Sequence, residues 1–485
     1  MASTDTASAR LTTTESGTKA RSGNGATARF IGSIKKGARP ARTFDVNMPH
    51  TITTREKFIP VTRFALIDRL ASADVWPGGH AEDARRFFRY LDYWRQQQYT
   101  SELFDLEQIY EPFSPDSDLL MTRKFTNDDR RAMQRRIVEG MAHILTRANY
   151  EMIDPSDATV ILTRDSYYGL DFKVDFALFE ECLIFYRGAT ARKDQRRRMR
   201  KFFRKEEFDV PIFQRFFLLF KLKPFDVHVK EVMAEQKISR SEAMRVVRRR
   251  RSMLPPSVKE ENIYMKLFKN LPRSDIEMVF PNTEVKFRFF DKLKLGVSAG
   301  GGLGMGAVGA AGKIALVASN PLAAATAAAG FGAVAFRQAM NFINQRNRYM
   351  VVLAQNLYFH SMADNRGVMV KLAARAAEED VKEEILLYSV LAKEPARRAD
   401  LPVIDAAIEQ YLLSQFGASV DFDLEDALER LLADGIVSEG ADGVLTALAP
   451  AEAALHIDDK WDLFLNNLPD PVSAEGMEFE GNPVA

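Results

Sequence analysis

The chain has 485 residues and a formal net charge of +1, long enough for two or three folding units that each bury a proper core. Its single cysteine, Cys182, excludes an internal disulfide and any multi-thiolate zinc site, and suits a reducing compartment. The balanced charge conceals an asymmetry: Arg192 to Arg251 holds twenty Lys/Arg against eight Asp/Glu, whereas Arg375 to the C-terminus holds seven against twenty-five.

Residues 1–50 are rich in Ser, Thr, Ala and Arg and nearly free of acids. That composition reads as a disordered tail, and an organellar transit peptide shares it. From Arg55 to about residue 285 a soluble α+β unit is expected. Leu66, Ile67 and Leu70 mark a short helix, and Phe87, Phe88, Leu91 and Trp94 a second. Thr126 to Asp129 fits a capping box opening a helix with Met133, Ile137, Met141 and Ile144 on one face. Leu170 to Leu178 alternates apolar and polar residues, the period of a half-buried strand, and Leu183 to Tyr186 supplies another.

A basic run follows, Arg192 to Lys205, and then an aromatic one, Pro211 to Lys223. Together they suit an anionic membrane surface, with Arg196, Arg197, Arg198, Arg200, Lys201, Arg204 and Lys205 as the candidate lipid-facing cations. The competing reading is a solvated basic edge beside a core strand. Ser239 to Glu242 fits a second capping box, for a helix ending at Arg248 to Arg251, where cations complement the helix dipole. Ile263 to Phe268 is strand-like.

Leu295 to Phe336 is apolar and rich in Gly and Ala, broken by Lys313 and by Ser319-Asn320-Pro321. Each half has about the 20 residues needed to span a bilayer, so a transmembrane helical hairpin is expected over 292–345. Gly296, Gly300 and Gly304 recur every fourth residue, as do Gly302 and Gly306, a spacing that lets helix backbones pack closely in lipid. Basic residues on both flanks place both soluble parts on one side of the membrane.

Four blocks carry a family resemblance: Arg55-Glu56-Lys57-Phe58-Ile59-Pro60, Leu183-Ile184-Phe185-Tyr186-Arg187-Gly188, Met265-Lys266-Leu267-Phe268-Lys269-Asn270-Leu271-Pro272 and Asp275-Ile276-Glu277-Met278-Val279-Phe280-Pro281-Asn282. With the hairpin after them, they resemble an uncharacterised family that includes transmembrane protein 143 of animals. The resemblance implies a two-span membrane protein of unknown activity and supplies no catalytic residues.

Residues 346–394 read as amphipathic helices, with Glu378 to Asp380 and Glu383-Glu384 as a solvated acidic face. Over 400–468 two helices and a β-hairpin follow in the order of a winged helix. Its second helix carries Asp423, Glu425, Asp426, Glu429 and Asp434 against Arg430 alone, which would repel phosphates, so nucleic acid is rejected as a partner and a protein partner is expected. Residues 470–485 read as a second disordered tail.

Known catalytic signatures are missing from the sequence. The six histidines lack the H-E-x-x-H spacing, Gly312-Lys313 lacks the hydroxyl residue of a Walker loop, and His143 reads as a core histidine. No catalytic residue, cofactor or metal is expected. The sequence therefore reads as an integral membrane scaffold or adaptor on anionic lipid, in a bacterial inner membrane or a mitochondrial membrane; the alternative is a homo-oligomeric pore or remodelling device built from the Gly-rich hairpins. A hydrolase is a distant third.

Overall fold

The computed structural model describes residues 55–118, 124–153, 170–197, 205–252, 254–272, 276, 278–287, 337, 340 and 357–467. Over these residues the chain is α+β. The helices are α1 (Arg63–Leu70), α2 (His80–Tyr110), α3 (Asn127–Arg147), α4 (Phe225–Gln236), α5 (Arg240–Arg251), α6 (Asn365–Leu391), α7 (Leu401–Phe416), α8 (Leu424–Ala433) and α9 (Pro450–Leu463). The strands are β1 (Glu151–Met152), β2 (Leu170–Lys173), β3 (Phe179–Arg197), β4 (Lys205–Leu222), β5 (Ile263–Pro272), β6 (Glu284–Phe287), β7 (Ser361–Asp364), β8 (Ala396–Arg397), β9 (Val437–Glu439) and β10 (Val444–Ala447). The described residues divide into two compact units, the larger holding 55–60, 91–382 and 459–467 and the smaller 61–90 and 383–458.

The larger unit is built on a five-stranded antiparallel sheet ordered β1–β3–β4–β5–β7. Its central strand explains the aromatic run of the sequence. Phe216, Phe217, Leu218, Leu219 and Phe220 are all buried because both faces of β4 are covered, so the apolar run is continuous rather than alternating. On one face Phe185, Phe217, Leu219, Met265 and Leu267 pack against side chains of α2, α3 and α6. On the other, Ile184, Phe216, Leu218, Phe220 and Tyr264 meet Phe179, Ile276 and Phe280. Helices α2 and α3 approach closely at Gly140, where an added Cβ would come within 2.5 Å of Leu106 Cδ2. Thr126 and Ser239 cap α3 and α5, each in a reciprocal capping box.

The smaller unit centres on Tyr388, whose ring lies 4.5 Å from that of Phe87, 6.1 Å from Phe88 and 6.3 Å from Trp76. Its hydroxyl donates to the Leu448 carbonyl at 2.8 Å. Helices α7 and α8 accompany a three-stranded antiparallel sheet ordered β8–β10–β9. Leu424, Ala427, Leu428 and Leu431 form the buried face of α8.

Several expectations are corrected. The transmembrane hairpin over 292–345 is not supported, because among the described residues no helix is long and apolar enough to cross a membrane. Apart from Arg337 and Met340 that stretch lies outside the described residues, as do Gly296, Gly300, Gly302, Gly304 and Gly306. Length was the weak part of the inference: Ala and Gly each remove little apolar surface from water, so a span made of them gains little from lipid. The integral membrane scaffold and the Gly-hairpin pore rested on that span, and both are withdrawn. The alternating segment Leu170 to Leu178 is strand only over Leu170–Lys173 and closes as a short 3-10 turn at Phe176–Leu178, with Asp175 accepting from the Ala177 amide.

The acidic middle of α6 is the largest departure from the sequence reading. Glu379, Asp380, Glu383 and Glu384 are buried rather than solvated. In the smaller unit Arg430 holds two of them, with Nη2 to Glu383 at 2.5 Å and Nε to Glu384 at 2.8 Å. Removing one partner of a buried pair leaves an uncompensated charge, which costs about 3–5 kcal/mol. Arg430→Met should therefore lower the urea midpoint severely. Arg398→Met, which breaks an exposed pair with Glu439, should leave the midpoint close to that of the native protein.

Candidate functional site

A cleft of about 720 Å³ opens in the larger unit where the sheet meets α6. Its chemistry follows from strand alternation. Along one face of β3 the residues run Leu183, Phe185, Arg187; along β4, Leu219, Phe217, Arg215; along β5, Met265, Leu267, Lys269. The antiparallel register sets Leu183 opposite Leu219, Phe185 opposite Phe217 and Arg187 opposite Arg215, and Arg215 in turn opposite Lys269. All three strands thus turn from apolar to cationic at the same rung. Like charges directly opposite one another destabilise a sheet, by up to about 1 kcal/mol per pair. Of the three, Lys269 is exposed to solvent, whereas Arg187 and Arg215 line the cleft.

Helix α6 supplies the other wall with Arg366, Lys371, Arg375 and Glu378. Three to four residues apart, Lys371, Arg375 and Glu378 share a face. Arg375 pairs with Glu378 at 2.7 Å, and Arg366 is bidentate to Glu107 at 2.9 and 2.7 Å. Leu267, Met362, Ala363, Val370 and Ala374 give the cleft an apolar lining beside its cations.

Arg187 is fixed more tightly than its neighbours. Its guanidinium lies 4.5 Å from the Phe58 ring centre and 5.1 Å from that of Tyr150. Nη1 donates to the Ala148 carbonyl at 3.2 Å and to Glu379 at 3.3 Å. Glu379 also accepts from the Ile59 amide at 3.1 Å and pairs with Lys382 at 3.0 Å, and Lys382 donates to the Ile59 carbonyl at 2.7 Å. The Nε of Arg187 is buried with no hydrogen-bond partner among the described residues.

Arg215 has a different environment. Its Nη1 donates to the Gln214 carbonyl at 2.7 Å, and among the described residues no carboxylate pairs with it. Burial pulls its pKa down; the charges of Arg187 and Arg375 add to that, and Tyr150 opposes it. Burial likewise raises the Tyr150 phenol, against the pull of Arg187, Arg215 and Arg375. Lys382 is lowered by burial, with Glu379 opposing. The cleft is therefore a place where positive charge has been concentrated and partly desolvated, a state that an entering anion relieves.

Beside Arg187, Gly188 has φ +69°, and an added Cβ would come within 2.7 Å of the Gln214 side chain. Glycine adopts this left-handed backbone without the steric cost that a Cβ would add.

Of the seven lipid-facing candidates the structure describes three. Arg196 and Arg197 are in β3, in register with Glu206 and Lys205 of β4. Arg198, Arg200, Lys201 and Arg204 are outside the described residues. None of the seven is among the described residues lining the cleft. His143, expected in the core, is exposed on α3; the buried histidine is His228 on α4. Among the described residues no cluster of His, Cys, Asp and Glu could hold a metal ion.

Cys182 lies across the sheet from Phe220, packed against the aromatic cluster of that face. Burial pushes its thiol up to about 12, which removes the thiolate that nucleophilic chemistry requires. In the native protein Cys182 should therefore resist a thiol reagent at pH 8, and it should react fully once the chain is unfolded in guanidinium, as a colorimetric thiol assay would show.

Residues 179–367 match the model of a family described as a protein of unknown function (DUF3754). The matched span includes Arg187, Arg215, Lys269 and Arg366, so the cationic rung and the start of α6 fall inside it. No solved structure matches the chain.

Proposed function

We propose that this chain is a ligand-binding protein whose cleft holds a small anion. The observation that carries the reading is the pair Arg187–Arg215, opposite each other on β3 and β4 and both lining the cleft beside Lys371 and Arg375 of α6. Its volume lies within the range of about 300–1,000 Å³ common for small-molecule sites, and few polar groups among apolar walls is their usual composition. Binding is favoured over catalysis because the lining holds no serine, cysteine or histidine among the described residues, and its one carboxylate, Glu378, is tied to Arg375.

The test uses an anionic apolar fluorophore, 8-anilinonaphthalene-1-sulfonate, titrated into the folded full-length chain. Saturable binding at one site is expected, weakened by added salt. Arg215→Gln should weaken it by about tenfold, the loss of one charge-assisted hydrogen bond, and Lys230→Ala, exposed on α4 and not part of the cleft lining, should leave it unchanged. Unsaturable binding that ignores Arg215→Gln would count against the proposal.

A further inference from the structure

We infer that the ligand of this cleft is a phosphate monoester with an apolar body, rather than a carboxylate or a bare phosphate. The inference rests on the anion-binding reading above and adds the charge and shape of the occupant. Five cations line the cleft: Arg187, Arg215, Arg366, Lys371 and Arg375. Three have carboxylate partners, Arg187 with Glu379, Arg366 with Glu107 and Arg375 with Glu378. Among the described residues Arg215 and Lys371 have none. Glu379 is also shared with Lys382, so among the described residues the lining carries at least two positive charges without a counter-charge. A carboxylate neutralises one of them. A phosphate monoester, with a charge of about −1.5 to −2 at pH 7, neutralises both.

The donors agree with that count. Three acceptor oxygens need several donors converging from different directions, and arginine supplies them in a planar fork. Here the sheet and α6 approach from two sides. A bare phosphate would leave most of the cleft empty. Leu267, Met362, Ala363, Val370, Leu372 and Ala374 then fit an apolar group attached through the ester oxygen.

Octyl phosphate, octanoate and inorganic phosphate should be titrated calorimetrically into the full-length chain at pH 7.5. Octyl phosphate is expected to bind about tenfold or more tighter than octanoate, for the second charge it neutralises. Its advantage should shrink at pH 5, below the second phosphate pKa of about 6. Lys371→Ala and Arg215→Gln should each erode that advantage. Lys371 is exposed, so its variant should fold normally, which a melting curve would verify.

Equal affinity for octyl phosphate and octanoate would overturn the phosphate assignment and leave the anion site intact. Equal affinity for inorganic and octyl phosphate would overturn the apolar body. Binding of none of the three would overturn the reading of the cleft itself. Phosphatidylcholine vesicles doped with phosphatidic acid separate the two sources of a phosphate monoester. Competition between them and octyl phosphate supports the inference with a lipid headgroup as ligand; octyl phosphate binding without vesicle binding supports it with a soluble ester.

Discussion

The larger unit depends on how it compensates the charge of Arg187. A guanidinium this deeply buried would be untenable in an apolar sheet without compensation. Compensation comes from four directions: the Phe58 and Tyr150 rings, the Ala148 carbonyl, and the carboxylate of Glu379. Glu379 in turn holds the Ile59 amide and Lys382. One buried ion pair therefore ties β3, the end of α3, α6 and the segment before Pro60 together. The segment Phe58–Ile59 is held largely by these contacts, since its backbone amide and carbonyl go to Glu379 and Lys382 rather than to a strand.

The same constraint explains why α6 carries so many acids on buried positions. Each satisfies a specific polar demand: Glu379 serves Arg187, Asp380 accepts from the Tyr99 hydroxyl at 2.8 Å, and Glu383 and Glu384 serve Arg430. Buried pairs of this kind add little net stability over well-packed apolar residues, but they tolerate few alternative arrangements. In the larger unit the contacts of Glu379 and Asp380 are met together at one rotation of α6 about its own axis. That rotation decides which residues reach the cleft: Lys371, Arg375 and Glu378 line it, while Met369 and Ala376 enter the core.

Function, on this view, follows from a charge imbalance that the core itself does not correct. Glu379 compensates Arg187, and Glu378 and Glu107 compensate two cations of the outer wall, whereas Arg215 faces Arg187 and Lys269 across the sheet. Relief by an external anion is the simplest physical use of such a site.

Much of the local structure was legible in the sequence. The capping boxes at Thr126 and Ser239, the helical spacing of Ile137, Met141 and Ile144, and the strand character of Leu183 to Tyr186 and Ile263 to Phe268 all depend on neighbours a few residues away. Two errors had local causes as well: the Gly- and Ala-rich stretch was judged on length, and alternation after Leu170 was extended through Asp175, whose side chain turns the backbone instead. The cleft was illegible for a different reason. Arg187, Arg215 and Lys269 each look like an ordinary strand cation, and they become one rung only when the register of β3, β4 and β5 is known. Glu379 could not be told from a solvated helix acid until Arg187, distant in sequence, was placed beside it. Most helices and strands could be read from the chain alone, because short-range sterics and hydrogen bonding decide them. Which charges are buried, and which are left without a counter-charge, only the tertiary structure decided, because the Coulomb energy of a side chain depends on groups that the chain brings together from far apart.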